Sequence, residues 1–402
     1  MRVARRALLA SMMASLAAPA VLRLARAEAP QVTLKLHHFF SSVSSSHDKF
    51  LAPWARKVEA ESGGRIRIEI FPSMQLGGAP AQLLDQVRDG LADIAWAMPA
   101  STPGRFAKIE VFELPFVPSG RALVNSRAIE DYAAENLRDE FREIRPICFS
   151  CRDRGILHAN RSIGSIQDLK GLRLHVANRL ASDAVNALGA QGMSFPMPQV
   201  PMAVTGHVID GCLDPWDVVP GLRLHDLLKF HTDFAESSLS TSTFVLAMNK
   251  TAHDRLPRDL KTIINNNSGQ VAAGMAGAMW DIEAKAVADM VRGRGDSVTV
   301  FAAEDVSHWR KATEPVIAAW LKEMKAHKAD GSKLIASAKT LMAKYANEPE
   351  PQATQPPEQK AATQPPQRPE AKAQVSAMPK ADAPSSPPIA KPVPTKRLDI
   401  PL

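Results

Sequence analysis

The sequence contains little cysteine. Only three of its 402 residues are cysteines, and two of them, Cys148 and Cys151, have the C-x-x-C spacing of redox and metal sites. A redox pair of this kind normally opens a helix. The segment RPICFSCRDRGILHA has instead the pattern of a strand, in which residues three apart point to opposite faces. We therefore expect buried, unreactive thiols.

Long apolar runs and catalytic motifs are also absent. No stretch of 18 uncharged apolar residues occurs, so no membrane-spanning helix is predicted. The motifs G-x-S-x-G and H-E-x-x-H and the phosphate-binding loop are missing. His37, His38 and His47 lie near one another, but their spacing fits no standard zinc motif. We expect neither an enzyme nor a bound metal or cofactor; an exported hydrolase is the less favoured alternative.

Positive charge is concentrated at the N-terminus. The first 27 residues carry five arginines and no acid, so the formal net charge of +7 falls to +2 without them. Nothing in this balance indicates a partner nucleic acid. A basic start, an apolar stretch and Ala25-Arg26-Ala27 predict a cleavable export signal over residues 1–27, and hence a periplasmic protein. Arg5-Arg6 resembles a twin-arginine signal, and an ordinary secretory signal is the alternative.

The last 56 residues have a different composition from the rest. Residues 347–402 hold 14 of the 31 prolines and no aromatic residue. Such a segment cannot bury enough apolar surface to offset the entropy lost on ordering. We predict a disordered, partly polyproline-like tail.

Strand and helix patterns alternate between these two ends. VTLKLHHFF predicts a first strand, residues 47–61 a helix, and the alternating isoleucines of RIRIEIF a second strand. A glycine-rich loop, a helix near residues 81–88 and the strand ADIAWAM follow. This order predicts βαβ units in a parallel sheet, and hence an α/β fold.

The same alternation recurs later in the chain. The strand LRLHV precedes a helix over residues 180–188, and TFVLAMNK predicts a further strand. Three long helical patterns then cover residues 258–291, 304–328 and 331–345.

Several segments in this order resemble a known family. They are VTLKLHHF, PWARKVEAESGGRIRIEIFPSMQLGG, QVRDGLADIAW, ELPF, DLKGLRLHV, ALGA and VIDGCLDPW. Together they are similar to the extracytoplasmic solute-binding receptors of TRAP (tripartite ATP-independent periplasmic) transporters, of the dicarboxylate-receptor type, over roughly residues 32–345. The resemblance implies a receptor that closes on a small organic acid and delivers it to a membrane permease driven by an ion gradient. A receptor of an ATP-driven importer is the alternative.

The resemblance also implies a domain organisation. Two α/β lobes would enclose a ligand cleft and be joined by crossing strands and a long helix. We expect residues 28–150 to begin the first lobe and residues 151–240 the second. Residues 241–280 would return to the first lobe, and residues 281–346 would form the linking helix and the helices that close the second lobe.

The segment GLRLHVANR is the most informative part of the expected binding site. The family usually ends this strand in an arginine that pairs with the substrate carboxylate, and His175 occupies that position here. A histidine cannot hold a carboxylate with two parallel bonds as arginine does. Asn178 is a plausible N-cap of the next helix, whose start attracts anions. We therefore expect Arg179 to hold the carboxylate with Asn178, and His175 to add a hydrogen bond.

Other candidate ligand contacts lie at strand ends and in neighbouring loops, because open α/β sheets bind ligands beyond the carboxyl ends of their strands. Asp214 stands where a relative often has asparagine, and would suit a ligand hydroxyl, an amine or a bridging cation. The aromatic side chains would pack on an apolar part of the ligand, which favours a monocarboxylate with a ring, a branched chain or a hydroxyl. These additional candidates are Asp214, Trp216, Arg154, His158, Trp96, Gln75 and His38.

Overall fold

Two β-sheets organise the part of the chain that the structure describes, which is residues 29–347 and residue 349 of a computed structural model. The predicted export signal and nearly all of the predicted disordered tail lie outside the described residues. Strand β1 spans Val32–His38, β2 Ile66–Phe71, β3 Ile94–Ala97, β4 Arg145–Cys151, β5 Ile156–Ala159, β6 Arg173–Val176, β7 Gln191–Met193, β8 Gly211–Asp214, β9 Phe230–Asp233, β10 Thr243–Met248 and β11 Ser297–Val300.

The first sheet has the strand order β2-β1-β3-β10-β4, and we call the part of the molecule built on it the first lobe. Its first three strands are parallel, as the alternating pattern predicts, and β10 runs antiparallel to both of its neighbours. Every residue of β3 and β10 is buried, because helices cover both faces of the sheet.

The second sheet has the strand order β11-β9-β5-β8-β6-β7 and forms the second lobe. Strand β5 is its antiparallel member, pairing with β8 and β9. Two segments cross between the sheets, one from β4 to β5 and one from β9 to β10. They lie side by side, since the amide of Arg152 donates to the carbonyl of Ser242 at 3.1 Å and that of Gly155 to Ser240 at 2.7 Å. The two-lobed α/β fold is thereby confirmed.

Helices surround both sheets. Helix α1 spans Ala52–Glu61, α2 Leu83–Asp89, α3 Ala122–Asn136, α4 Arg179–Ala187, α5 Val200–Thr205, α6 Val218–Gly221, α7 Leu224–Leu227, α8 Lys250–Arg255, α9 Arg258–Asn266, α10 Gln270–Gly293, α11 Ala303–Ala326 and α12 Gly331–Tyr345. A π-helical turn, Ser46–Leu51, precedes α1.

The long helical pattern predicted over residues 258–291 is divided in the structure. Helix α9 ends at Asn266 and α10 begins at Gln270. Gly269 between them has a φ of 61°, which favours glycine, and its amide donates to the carbonyl of Ile147 at 2.7 Å. The sequence periodicity could not reveal this break, because apolar residues recur at helical spacing on both sides of it.

Helix α10 belongs to the core of both lobes. Its N-terminal half, with Trp280, packs in an apolar cluster of the first lobe, whereas Val287 and Val291 pack in a cluster of the second. We expected helix α12 to close the second lobe. It belongs instead to the first lobe, because Leu334 and Met342 are buried in the first-lobe core and the helix packs against α3.

The three cysteines are free and buried, and burial raises the pKa of each thiol above its usual range. No helix among the described residues is long and apolar enough to cross a membrane.

Candidate functional site

The space between the lobes lies beyond the same edge of each sheet. Strands β4 and β8 run in the direction of the parallel strands of their sheets, so the residues that follow them face this space. Both crossing segments also leave the sheets there. Ligands of open α/β sheets bind at this kind of edge, so we examined the polar side chains that it carries.

Arg152 is a buried cation between the lobes. It directly follows β4, its side chain is 6% exposed, and it forms an ion pair with the equally buried Asp217, which follows β8. Its guanidinium carbon lies 5.4 Å from the ring centroid of Trp280 on α10. The Nε–H of Arg152 has no hydrogen-bond partner among the described residues. Burial lowers the pKa of Arg152 to about 10, against the opposing charges of Asp153 and Asp214.

An aromatic cluster adjoins Arg152 in the first lobe. The rings of Trp96 and Phe244 stack at 5.1 Å, and that of Trp280 lies 6.1 Å from Trp96. Phe50 and Phe40 extend the cluster through contacts with Trp96 and Phe244 respectively.

Several buried polar atoms of this region lack a hydrogen-bond partner among the described residues. They include the indole N–H groups of Trp96 and Trp280 and the hydroxyl of Ser150 on β4. Buried donors are normally paired, so unpaired ones beside an arginine favour an anionic ligand.

His175 faces Asp214 inside the second lobe. Its Nδ1 lies 2.9 Å from Asp214 Oδ2, and its Nε2 lies 3.0 Å from the carbonyl oxygen of Phe195. Burial lowers the pKa of His175, but the charge and hydrogen bond of Asp214 and the bond to Phe195 together outweigh it and raise the pKa above 6.5. Both nitrogens of the imidazole therefore already have partners within the protein, and neither is left for a ligand.

A second histidine pair lies behind Asp214. The Nδ1 atoms of His158 and His231 are 2.7 Å apart, and His158 Nε2 donates to the carbonyl of Asp214 at 3.1 Å. The ring of Trp216 packs 5.0 Å from His158 and 5.1 Å from His231. Burial, followed by the neighbouring imidazole, lowers the pKa of His158 to about 3.

Arg179 has a different set of partners from the one expected. Its Nη2 donates to Glu110 at 2.7 Å and to Glu323 at 3.1 Å, and its Nη1 lies 3.6 Å from Asp183. Three carboxylates around one guanidinium repel a further anion, so this position is a poor place for a ligand carboxylate.

Asn178 caps α4, as predicted, by accepting from the amide of Ala181 at 2.8 Å. Its amide donates to the carbonyl of Thr241 at 2.9 Å, so the side chain links α4 to a crossing segment. Arg154 is similarly committed: its Nη2 donates to Asp233 at 2.9 Å and its Nη1 to the carbonyl of Gly120 at 3.1 Å.

The remaining candidates are Gln75 and His38, of which His38 lies beside Trp96 in the first sheet. Gln75 is exposed in its loop. His38 is buried, and its Nε2 lies 2.9 Å from His47 Nδ1. Burial and the neighbouring imidazoles lower the pKa of His38 to about 3. Among the described residues, no group of three histidine, cysteine or acidic side chains is arranged to hold a metal ion.

The site includes residues that were not predicted from the sequence, namely Arg152, Asp217, Trp280 and Phe244. The strand-end rule that selected Trp96 also applies to Arg152 and would have found it. No comparable signal existed for Trp280, whose position within a helix is typical of a core residue.

A cavity of about 480 Å³ lies elsewhere, at the opposite end of β1, beside Val32 and Leu34. Arg88, which lines it, is already paired with Asp85 and Asp89. This cavity is therefore not the candidate site.

Comparisons with known proteins agree with this architecture. The model of the family described as bacterial extracellular solute-binding protein, family 7, matches residues 36–323. A TRAP solute-binding protein from Rhodoferax ferrireducens, solved with copurified benzoate, is 37% identical with a TM-score of 0.75, covering 78% of this chain and 98% of that one.

Two further solved structures are similar. A marine metagenome TRAP solute-binding protein specific for aromatic acid ligands, solved with 3-hydroxybenzoate, is 35% identical with a TM-score of 0.76, covering 79% of this chain and 99% of that one. A Bordetella bronchiseptica TRAP solute-binding protein with bound mandelate is 25% identical with a TM-score of 0.71, covering 78% of this chain and 99% of that one.

Proposed function

The chain belongs to the bacterial extracellular solute-binding protein family 7, and from this premise we propose that its ligand is a small aromatic monocarboxylate held by Arg152. The chain is an extracytoplasmic receptor of a TRAP transporter and not an enzyme. It binds a small carboxylate and works with the membrane permease of that transporter.

The observation that carries the proposal is the buried Arg152 guanidinium with its unpartnered Nε–H. A carboxylate placed there would gain a charge-assisted hydrogen bond in a site sheltered from water. The other cations expected to hold the ligand are committed, His175 to Asp214 and Arg179 to three carboxylates. The one unpartnered N–H of Arg152 suits a ligand with one carboxylate.

The aromatic cluster supports a ring on that ligand. The ring of Trp280 lies beside Arg152, and Trp96 and Phe244 continue from it in stacked and tilted contacts. Aromatic rings pack favourably on one another in offset or edge-to-face arrangements. The ligands of the similar receptors, benzoate, 3-hydroxybenzoate and mandelate, all combine a ring with one carboxylate.

Capture follows from the position of Arg152. It belongs to the first lobe and its partner Asp217 to the second, so a ligand at Arg152 would touch both lobes. Such a ligand stabilises the closed form by the difference between its affinities for the closed and open forms. The permease would then recognise the closed form.

The test is calorimetric titration and thermal melting of the exported protein after removal of carried-over ligand. The panel comprises benzoate, phenylacetate, cyclohexanecarboxylate, succinate and the neutral benzamide. An aromatic monocarboxylate at about 100 times its dissociation constant is expected to stabilise the fold by about 2.7 kcal/mol. Binding of succinate without binding of any aromatic acid would overturn the proposal.

A charge-balanced variant tests the role of Arg152. Replacing Arg152→Gln together with Asp217→Asn removes both buried charges, so that neither is left unpaired. We expect this variant to remain folded and to bind its best acid more than about 30-fold less tightly. The exposed Arg56→Ala on α1 is the control, with unchanged affinity expected. Unchanged affinity in the double variant would exclude Arg152 as the carboxylate contact.

We also infer export by the twin-arginine route, from Arg5-Arg6 and the apolar stretch after them. Replacing both arginines by lysine is expected to leave the precursor in the cytoplasm. Normal export of this variant would favour the ordinary secretory route.

A further inference from the structure

Asp214 carries a buried oxygen atom that the protein leaves unpaired. This residue ends β8 and is 1% exposed. Its Oδ2 is bonded to His175 and its main-chain carbonyl to His158. Its Oδ1 has no hydrogen-bond partner among the described residues. A buried acceptor without a partner is unfavourable, and more so when it is charged.

The contacts of His175 favour the carboxylate form of Asp214. Both nitrogens of His175 lie at hydrogen-bond distance from oxygen atoms, and although burial lowers the pKa of His175, the charge and hydrogen bond of Asp214 raise it above 6.5. An imidazolium that donates to both oxygen atoms, balanced by an Asp214 carboxylate, fits these contacts. An ionised carboxylate only accepts hydrogen bonds, so the partner of Oδ1 must be a donor.

The protein offers little to fill this role. Cys212, two residues earlier on the same face of β8, interacts with Asp214, which contributes to the raised pKa of its thiol. A thiol is a weak donor. A metal cation is disfavoured as the partner, because His175 already neutralises the carboxylate and Asp214 lies close enough to Arg152 for their charges to interact.

Asp214 also borders the space in which the ligand is expected. Asp217, three residues after it, forms the ion pair with Arg152. Asp214 ends the strand that Asp217 follows, and its charge lies close enough to Arg152 for the two to interact, so a molecule held by Arg152 would lie near Asp214. The unpaired acceptor and the unpartnered N–H of Arg152 could therefore contact one ligand.

We propose that the ligand carries a hydrogen-bond donor, a phenolic hydroxyl or an aromatic amine, that donates to Asp214 Oδ1. The receptor would then prefer hydroxy- or amino-substituted aromatic monocarboxylates to the unsubstituted acids. This inference rests on the proposed function and adds the substituent that the site selects. The carboxylate of the ligand pairs with Arg152, and the donor reaches the opposite side of the space.

The experiment is a calorimetric series on the ligand-free protein. The probes are benzoate, its 3- and 4-hydroxy, 3- and 4-amino, and 3- and 4-methoxy derivatives. A methoxy group keeps the oxygen atom of the hydroxyl and adds a methyl group, so it has no proton to donate. We expect at least one hydroxy or amino acid to bind about tenfold or more tightly than benzoate and than its own methoxy counterpart, as a bond to a charged group would give.

Substitution of Asp214 tests the assignment of the acceptor. In Asp214→Asn the charge is lost, and the ratio of the benzoate to the hydroxybenzoate dissociation constant is expected to fall to within about threefold of unity. The exposed Asp89→Asn is the matched control and should keep the wild-type ratio. If Asp214→Asn does not fold, the hydroxy, methoxy and unsubstituted acids on the wild-type protein still decide the question.

The outcomes separate the two proposals. Equal affinities for benzoate and its hydroxy, amino and methoxy derivatives would overturn the donor inference and leave the aromatic-acid receptor intact. A preference that is undiminished in Asp214→Asn, whose amide oxygen is a weaker acceptor than a carboxylate, would place the acceptor elsewhere and also overturn it. Binding of none of these acids, with a cooperative melt, would overturn the proposed function and this inference with it.

Discussion

Arg179 at the start of α4 reaches across the lobes to Glu110, with its Nη2 2.7 Å from Glu110 Oε2. Glu110 lies in the short 3₁₀ segment Ile109–Glu113, whose apolar residues pack in the first-lobe core. The same guanidinium contacts Glu323 near the end of α11. The arginine that the sequence suggested as a ligand contact is therefore a contact between lobes.

Replacing Arg179→Ala should weaken ligand binding indirectly. Without the guanidinium, Glu110, Glu323 and Asp183 repel one another in the closed form. Because the cluster is partly exposed, we expect only about a threefold to tenfold loss of affinity. The preference for a carboxylate over its amide should be unchanged, as titration with benzoate and benzamide would show. Complete loss of binding would return Arg179 to the role predicted from the sequence.

Glu113 should make the stability of the fold fall as the pH rises from about 4.5 to about 7. Burial raises its pKa to about 7, although Thr243 donates two hydrogen bonds to its Oε1 at 2.9 and 2.6 Å. A carboxyl with a raised pKa in the folded state stabilises the fold fully below its unfolded pKa, near 4.5. That contribution is lost as the pH rises through 7.

The Glu113→Gln variant should therefore be more stable than the wild type at pH 8, by about 2–3 kcal/mol, and similar to it at pH 4.5. Urea unfolding at the two pH values measures the difference. Equal effects at both values would show that ionisation of Glu113 is not the cause.

Three histidines of the second sheet should titrate in a fixed order. Asp214 and Phe195 keep the pKa of His175 above 6.5, whereas burial lowers that of His231 to about 4 and that of His158 to about 3. Nitrogen-detected NMR of the imidazoles should show His175 losing its proton at a pH above 6.5 while the other two are already neutral. Neutral His175 at pH 6 would contradict the ion pair with Asp214.

The raised pKa of His175 also predicts how the stability of the fold changes with pH. A histidine with a raised folded pKa contributes stability that is complete below its unfolded pKa of about 6.5 and disappears as the pH rises through the folded value. The wild type should therefore lose its stability advantage over His175→Gln between about pH 6 and pH 9, as urea unfolding at the two values would show.

Gly277 permits the close approach of α10 and α3. A Cβ there would lie 2.7 Å from the Cα of Leu123, a backbone atom that cannot turn away. We expect Gly277→Ala to destabilise the fold by about 1–3 kcal/mol through overpacking. Gly293, at the end of the same helix, has nothing within 4 Å of its Cβ position, so Gly293→Ala is the control. Thermal melting of the two variants should separate them.

The sequence predicted the architecture better than the site. Alternating apolar patterns identify strands and helices locally, and the order of motifs fixed the family. The sequence showed that His175 and Asp214 differ from the residues that the family usually has at these positions. It did not show the hydrogen bond between them, because that bond joins two strands that are neighbours only in the folded sheet.

Arg152 and Arg154 illustrate what the sequence alone could not reveal about the site. The two arginines differ by two residues on one crossing segment, and only Arg154 was selected from the sequence. In the structure, Arg154 donates two hydrogen bonds to the carboxylate of Asp233. Arg152 pairs with Asp217 but keeps one N–H without a partner among the described residues. Both acids are distant in sequence from the arginines, so the sequence could not reveal these contacts.

Helix α10 has a mechanical consequence for the receptor. Its 24 residues form a rod roughly 36 Å long, and each half is buried in a different lobe. Sliding either lobe along this rod would expose Trp280 or Val291 to water. We therefore expect opening to be a rotation of one lobe relative to the other while the rod keeps its length. Spectroscopic labels at its two ends should keep their separation when ligand binds, while labels across the cleft should approach.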